Sequence, residues 1–87
     1  MALDRILVVD DTAIIRKNME DRLRGKRYSV SSAGTIAEAE KRLESHSFDL
    51  IFLDMELPDG DGRVLIEKLS QMENKPLTVM LTAHGAI

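Results

Sequence analysis

Three apolar runs in this chain each end on an acid or a hydroxyl: Ile6-Leu7-Val8-Val9 on Asp10-Asp11, Leu50-Ile51-Phe52-Leu53 on Asp54, and Leu77 to Leu81 on Thr82. Each run is short, continuous and aliphatic, which suits a strand covered on both faces rather than one with a wet face. Laid side by side as parallel strands, the runs bring their carboxyl ends to one edge of a sheet, where open α/β sheets bind their ligands. One crevice then collects Asp10, Asp11, Asp54 and the Thr82 hydroxyl.

The segments between the runs supply the crossovers that such a sheet needs. From Thr12, an N-cap by residue type, Ile14, Ile15, Met19 and Leu23 recur at helical spacing until Gly25 supplies a stop. Tyr28 to Ser32 reads as a short strand with enough polar residues for a sheet edge, and Gly34-Thr35 opens a second helix through Ile36, Ala37, Ala39 and Leu43. Phe48 to Leu53 carries the strongest buried-strand signal. Pro58-Asp59-Gly60 breaks the chain, Val64, Leu65, Leu69 and Met72 mark a third helix, and Pro76 punctuates its exit. Strands alternating with helices imply right-handed crossovers and a parallel sheet with helices on both faces. After Leu81 the pattern stops: Thr82-Ala83-His84-Gly85-Ala86-Ile87 reads as a loop entering a further helix. The chain is therefore expected to end inside a βα unit and to leave apolar surface uncovered.

Composition narrows the function classes. Eighty-seven residues are one domain, 1–87, and a domain of this size buries only about 60 to 65% of its unfolded surface, so its stability is expected to be marginal. At 3% aromatic, the core must be built from Leu, Ile, Val and Met. The lack of cysteine removes disulfides and thiolate-held metals. A net charge of −3 argues against nucleic acid binding through this segment, because a phosphate backbone demands a basic face. Arg22, Arg24, Lys26 and Arg27 form a basic run, but at the end of a helix such residues complement its dipole. No apolar run approaches the roughly 20 residues that span a bilayer, and no signal peptide precedes the first strand, so a cytoplasmic protein is expected.

Carboxylates gathered in one crevice repel: two like charges about 4 Å apart at an effective dielectric near 20 cost roughly 4 kcal/mol. A hard divalent cation offsets this, and Mg2+ commonly takes one or two carboxylates, several waters and a phosphate oxygen. Asp54 ends the most buried run and is the candidate nucleophile for a phosphoryl group, forming an aspartyl phosphate. Thr82 is placed to hydrogen-bond a phosphoryl oxygen, and the backbone N–H groups of Met55 and Ala83 to stabilise its charge. Taken singly, an aspartate at a strand end is most often a cap or turn former. Three such signals on successive buried runs point to a site instead. Asp54, Glu56, Asp59 and Asp61 do not make a calcium loop, since Pro58 and Asp59 occupy the fifth and sixth places and no Glu closes it. His46 and His84 read as surface residues, and Met19, Met55, Met72 and Met80 as core or near-core fillers.

These residues resemble the receiver domains of two-component response regulators. Ile6-Leu7-Val8-Val9-Asp10-Asp11 is similar to the family's first strand and acidic pair, Leu53-Asp54-Met55-Glu56-Leu57-Pro58 to its phosphoacceptor strand, Asp61-Gly62 to its glycine turn, and Leu81-Thr82-Ala83 to its switch strand. Leu81-Thr82-Ala83-His84-Gly85 further resembles receivers of nitrogen-regulation-type transcriptional activators. The resemblance implies that Asp11 binds Mg2+ directly, Asp10 through water, and Asp54 as both ligand and phosphoacceptor, with the Glu56 backbone carbonyl completing the protein's share. It implies Thr82 as the switch hydroxyl, Met55 and Ala83 as phosphoryl-binding amides, and a sensor histidine kinase or phosphotransfer protein as partner. The fold it implies is a flavodoxin-like doubly wound sheet of order 2-1-3-4-5, here with about four of five βα units, a C-terminally truncated receiver. The lysine that ends the family's fifth strand has no counterpart, so phosphotransfer by this chain is expected to be weak. Its open fourth-strand edge is expected to favour self-association.

Two other readings stay open on sequence alone. A Mg2+-dependent phosphohydrolase with an aspartyl nucleophile resembles a strand ending in D-x-D, whereas here the strand ends Asp10-Asp11-Thr12 and the spaced pair is Asp54-Met55-Glu56. An interaction or dimerisation module would need no phosphotransfer at all.

Overall fold

The computed structural model describes residues 4–81. Its elements follow in the order β1 (Arg5–Val9), α1 (Ala13–Gly25), β2 (Ser29–Ala33), α2 (Ile36–Ser45), β3 (Leu50–Asp54), β4 (Glu56–Leu57), β5 (Gly60–Asp61), α3 (Arg63–Ser70) and β6 (Leu77–Leu81). The main sheet is parallel throughout, in the order β2-β1-β3-β6, as an α/β doubly wound fold requires. Ser-rich β2 stands at one edge, where a half-wet strand belongs.

Register places Leu7 level with Ile51 and Val9 level with Leu53, so these side chains point to one face of the sheet. That face carries the main core: Leu7, Val9, Ala33, Ile51 and Leu53 pack with Ile36 and Ala39 of α2 and with Leu65 and Leu69 of α3. Burying each large aliphatic side chain stabilises the fold by about 1.5–3 kcal/mol. Ile6 and Val8 point to the opposite face and are buried too, and α1 packs on β1 and β2. Helices thus lie on both faces, as expected.

The opposite face is more thinly covered than the helical spacing of α1 implies. Ile15, Met19 and Leu23 share one side of that helix, yet none of its residues is buried, and Ile14 and Ile15 are 71% and 42% exposed. Periodicity identifies which residues share a side, and cover depends on what lies beyond it. The apolar exposure expected along the last strand is present, with Leu77 64%, Val79 42% and Met80 58% exposed. Met80 is therefore not a core filler, whereas Met72 packs against the core margin.

Two local details also differ from expectation. Gly25 is the last helical residue of α1, and it is Arg27 that turns the chain through φ 69°, a conformation that L side chains adopt at a cost. Thr12 stands at the N-cap of α1 without a side-chain bond to the helix. Between β3 and α3 the chain folds into a two-stranded antiparallel hairpin, Glu56 opposite Asp61 and Leu57 opposite Gly60, where the sequence suggested only a break at Pro58-Asp59-Gly60. Among the described residues, no helix is long and apolar enough to cross a membrane.

Candidate functional site

The sheet order alone decides where the carboxylates meet. β1 and β3 are parallel neighbours, with Val9 level with Leu53, so the residues that follow or end them emerge side by side at one edge. Asp10, Asp11 and Asp54 each present one oxygen there, all within 4.8 Å of one another. Asp10 and Asp54 are only 4% and 5% exposed, and Asp11 faces solvent. The crevice expected from the sequence is thus assembled as far as its three carboxylates.

Backbone groups hold the two buried acids in place. The Asp10 carboxylate accepts a hydrogen bond from the Thr12 N–H at 2.8 Å, which closes the turn into α1. Arg16, from the first turns of α1, donates to the Asp10 carbonyl at 2.6 Å and braces the same turn. The Asp54 carboxylate accepts from the Glu56 N–H at 3.1 Å. Burial raises the Asp54 carboxyl above the ordinary carboxylate range, the Glu56 N–H pulls it back, and the charges of Asp10, Asp11 and Glu56 push it up again. Among the described residues, this buried carboxylate hemmed by two others has no cationic partner.

That donor set fits a hard divalent cation. All three side chains are oxygen donors, one is open to solvent, and the repulsion among them is what a Mg2+ ion would neutralise. Glu56 stands beside Asp54 at the start of the hairpin, exposed, where its carbonyl is the fourth oxygen implied by the resemblance. Met55, half-buried, links them. Thr82 and Ala83, the expected switch hydroxyl and second phosphoryl-binding amide, lie outside the described residues, as does His84. The other acids of the loop are engaged elsewhere, which disposes of a calcium loop: Asp59 accepts from the N–H groups of Ile36 and Ala37, and Asp61 pairs with Arg63 at 3.0 Å. His46 is exposed at the end of α2, as expected.

Gly62 is a part of this site that its residue type alone did not reveal. Its N–H donates to the Met55 carbonyl at 2.7 Å, and a Cβ at this position would stand 2.5 Å from the Asp54 carbonyl oxygen and 3.0 Å from Met55 Cα. Only glycine lets the exit of the hairpin lie directly on the backbone that carries Asp54. The Asp61-Gly62 pair marked a turn in the sequence; the close approach depends on the hairpin.

The site is an acidic crevice at the carboxyl edge of a parallel sheet on a doubly wound fold, with two of its three carboxylates buried at the ends of the central strand pair. The sequence profile of the response regulator receiver domain matches residues 6–87, and the chain belongs to that family, one of signalling domains rather than classical enzymes. It is 34% identical to the response regulator protein PilR of Pseudomonas aeruginosa over 87 residues, covering 100% of this chain and 20% of that protein. The chain thus spans about a fifth of the length of that curated relative. Among solved structures, a CheY-like receiver domain protein from Methanospirillum hungatei is 31% identical with a TM-score of 0.88, over 99% of this chain and 69% of that one. The response regulator TrrA from Thermotoga maritima, solved in complex with Mg2+-BeF, is 31% identical with a TM-score of 0.85, over 95% of this chain and 72% of that one.

Proposed function

We propose that this chain accepts a phosphoryl group on Asp54 and thereby switches a downstream output. The observation that carries the reading is the buried Asp54 carboxylate meeting Asp10 and Asp11 within 4.8 Å at the edge of the sheet. An Asp54 carboxylate oxygen attacks the phosphorus of the donor, the donor's P–N or P–O bond breaks, and the leaving group departs with the electron pair. The product is an acyl phosphate on Asp54. Asp10, Asp11, Asp54 and the Glu56 carbonyl would hold Mg2+, which supplies the positive charge that offsets the crowded oxygens during transfer. The solved TrrA complex with Mg2+-BeF supports this pairing of metal and phosphoryl-like group in a relative. The Glu56 N–H keeps the nucleophile oriented, and the Met55 and Ala83 amides, with the Thr82 hydroxyl, bind the transferred group.

The donor is a sensor histidine kinase or phosphotransfer protein in the cytoplasm. Ile14, 71% exposed in the first turn of α1 just beyond Asp10-Asp11, offers it an apolar contact beside the crevice. The output is transcriptional, in keeping with relatives such as the transcriptional regulatory protein AlgB, and self-association along the β6 edge belongs to the same reading. Lys68 is engaged with Glu40, between α3 and α2, away from the acidic crevice. Incubation with radiolabelled acetyl phosphate and Mg2+ is expected to label the wild-type chain and to leave Asp54→Ala unlabelled. Label retained by Asp54→Ala would overturn the assignment.

A further inference from the structure

The hairpin that follows β3 is fastened to a second helix at a point the phosphoacceptor reading does not use. The first N–H groups of any α-helix lack partners within the helix. In α2, Thr35 serves one of them, its hydroxyl accepting from the Glu38 N–H at 3.1 Å. The two before it are served from elsewhere: Ile36 N–H donates to Asp59 Oδ1 at 2.8 Å and Ala37 N–H to Asp59 Oδ2 at 3.1 Å. Asp59 stands 22 and 23 residues further along, in the turn between β4 and β5.

Gly60 makes this contact tight. Its φ of +150° is open to glycine and rarely to other residues, and a Cβ there would stand 3.0 Å from Ile36 Cδ1. The turn is therefore seated on the first residue of α2 by a carboxylate and by close packing together. From that seat the hairpin runs back to the acidic site within a few residues. Glu56, paired with Asp61 across the hairpin, donates to the Asp54 carboxylate, and Gly62 donates to the Met55 carbonyl. The backbone that orients Asp54 is thus held at one end by β3 and at the other by Asp59 on α2.

We infer that Asp59 is a positioning residue for the acidic site, its clasp on the start of α2 holding the hairpin so that Glu56 presents its N–H to Asp54 and its carbonyl to the metal. This rests on the metal-dependent phosphoacceptor reading and adds to it a residue that touches neither the metal nor the phosphoryl group. Asp59 acts through an ordinary physical route. Its negative charge lies at the positive end of the α2 dipole, and both of its oxygens are used, so the hairpin has one height over the helix rather than several.

The two caps of α2 allow a controlled test, because only Asp59 is tied to the hairpin. Mg2+ is titrated by calorimetry into the wild-type chain, Asp59→Ala, Asp59→Asn and Thr35→Ala, with the thermal midpoint of each recorded beside it. Asp59→Ala is expected to weaken Mg2+ binding by about tenfold, the lower end of the range for groups that orient metal ligands. Asp59→Asn keeps one acceptor oxygen of the two and no charge, and is expected to recover only part of that loss. Thr35→Ala lowers the thermal midpoint as the loss of a helix cap does, and is expected to leave Mg2+ affinity within about twofold of wild type. Unchanged affinity in Asp59→Ala, or an equal loss in Thr35→Ala, would overturn the inference while leaving Asp54 as the phosphoacceptor. A wild-type chain that binds no Mg2+ would remove the phosphoacceptor reading itself, and this inference with it.

Discussion

Strand β3 is flanked by an aspartate before its first residue and ends on another, and the two live in opposite electrostatic conditions. Asp49 lies at the amino edge of the sheet, where its carboxylate accepts from the N–H groups of Asp4 and Arg5 at 3.0 Å each. The Arg5 N–H, then that of Asp4, hold its carboxyl below the usual carboxylate range. Asp54, at the carboxyl edge, has one N–H partner, is buried, and faces Asp10 and Asp11, so its carboxyl is pushed up. Asp49 ties the start of β1 to the start of β3 and is satisfied as an anion. Asp54 is crowded by like charge, the condition that a bound cation would relieve.

The largest effect that tests this contrast is metal binding. Mg2+ at about 100 times its dissociation constant is expected to stabilise the wild-type chain by about 2.7 kcal/mol, an effect reversed by chelation. Asp54→Asn should lose most of that gain and Asp49→Asn should keep it, as thermal melts with and without Mg2+ would register. Equal gains in both variants would break the comparison.

A smaller effect is expected from geometry alone. Gly62→Ala forces a Cβ to within 2.5 Å of the Asp54 carbonyl oxygen, and overpacking of that kind costs about 1–3 kcal/mol. Denaturant unfolding would measure the loss. Because the clash falls on the backbone of Asp54, Mg2+ affinity should drop in the same variant, whereas Gly25→Ala, with open space around its Cβ, should change neither.

The smallest effect, and the one that separates the two aspartates most cleanly, is pH dependence without metal. Asp49, lowered when folded, contributes stability that is present above the unfolded carboxylate pKa and is lost as pH falls through its own lower value. Asp54, raised when folded, contributes stability that is present below the unfolded value and is lost as pH rises through its own higher one. At pH 7, Asp49→Asn should therefore lower the thermal midpoint and Asp54→Asn should raise it. Both differences should shrink towards strong acid; shifts of the same sign at pH 7 would refute the contrast.

How much of this was legible in the sequence follows from the length scale of each signal. The runs behind β1, β3 and β6 are continuous and apolar, so their spans, and the acids at the ends of β1 and β3, could be read directly, and with them Asp10, Asp11 and Asp54. The β4–β5 hairpin could not, because strands of two residues carry no periodicity. Asp59 was read only as part of the break at Pro58-Asp59-Gly60, since its partners, Ile36 and Ala37, are 23 and 22 residues away and no local motif announces them. The spacing of Ile15, Met19 and Leu23 gave one side of α1 correctly and said nothing of how much of it is covered. Thr82 and Ala83 belong to the chain beyond the described residues.

Among the described residues, the two outer strands of the sheet differ in composition. β2 offers Ser29, Ser31 and Ser32 along its length, a row with little tendency to recruit another strand. β6 offers Leu77-Thr78-Val79-Met80-Leu81, uncharged and rich in strand-forming residues, with its first four side chains exposed. Five such residues, wherever they are left unpaired, are the composition of an amyloid-prone segment. Lys75 and Pro76 stand immediately before it, and since a charge and an imino acid both oppose strand stacking, they are gatekeepers for the segment that starts at Leu77.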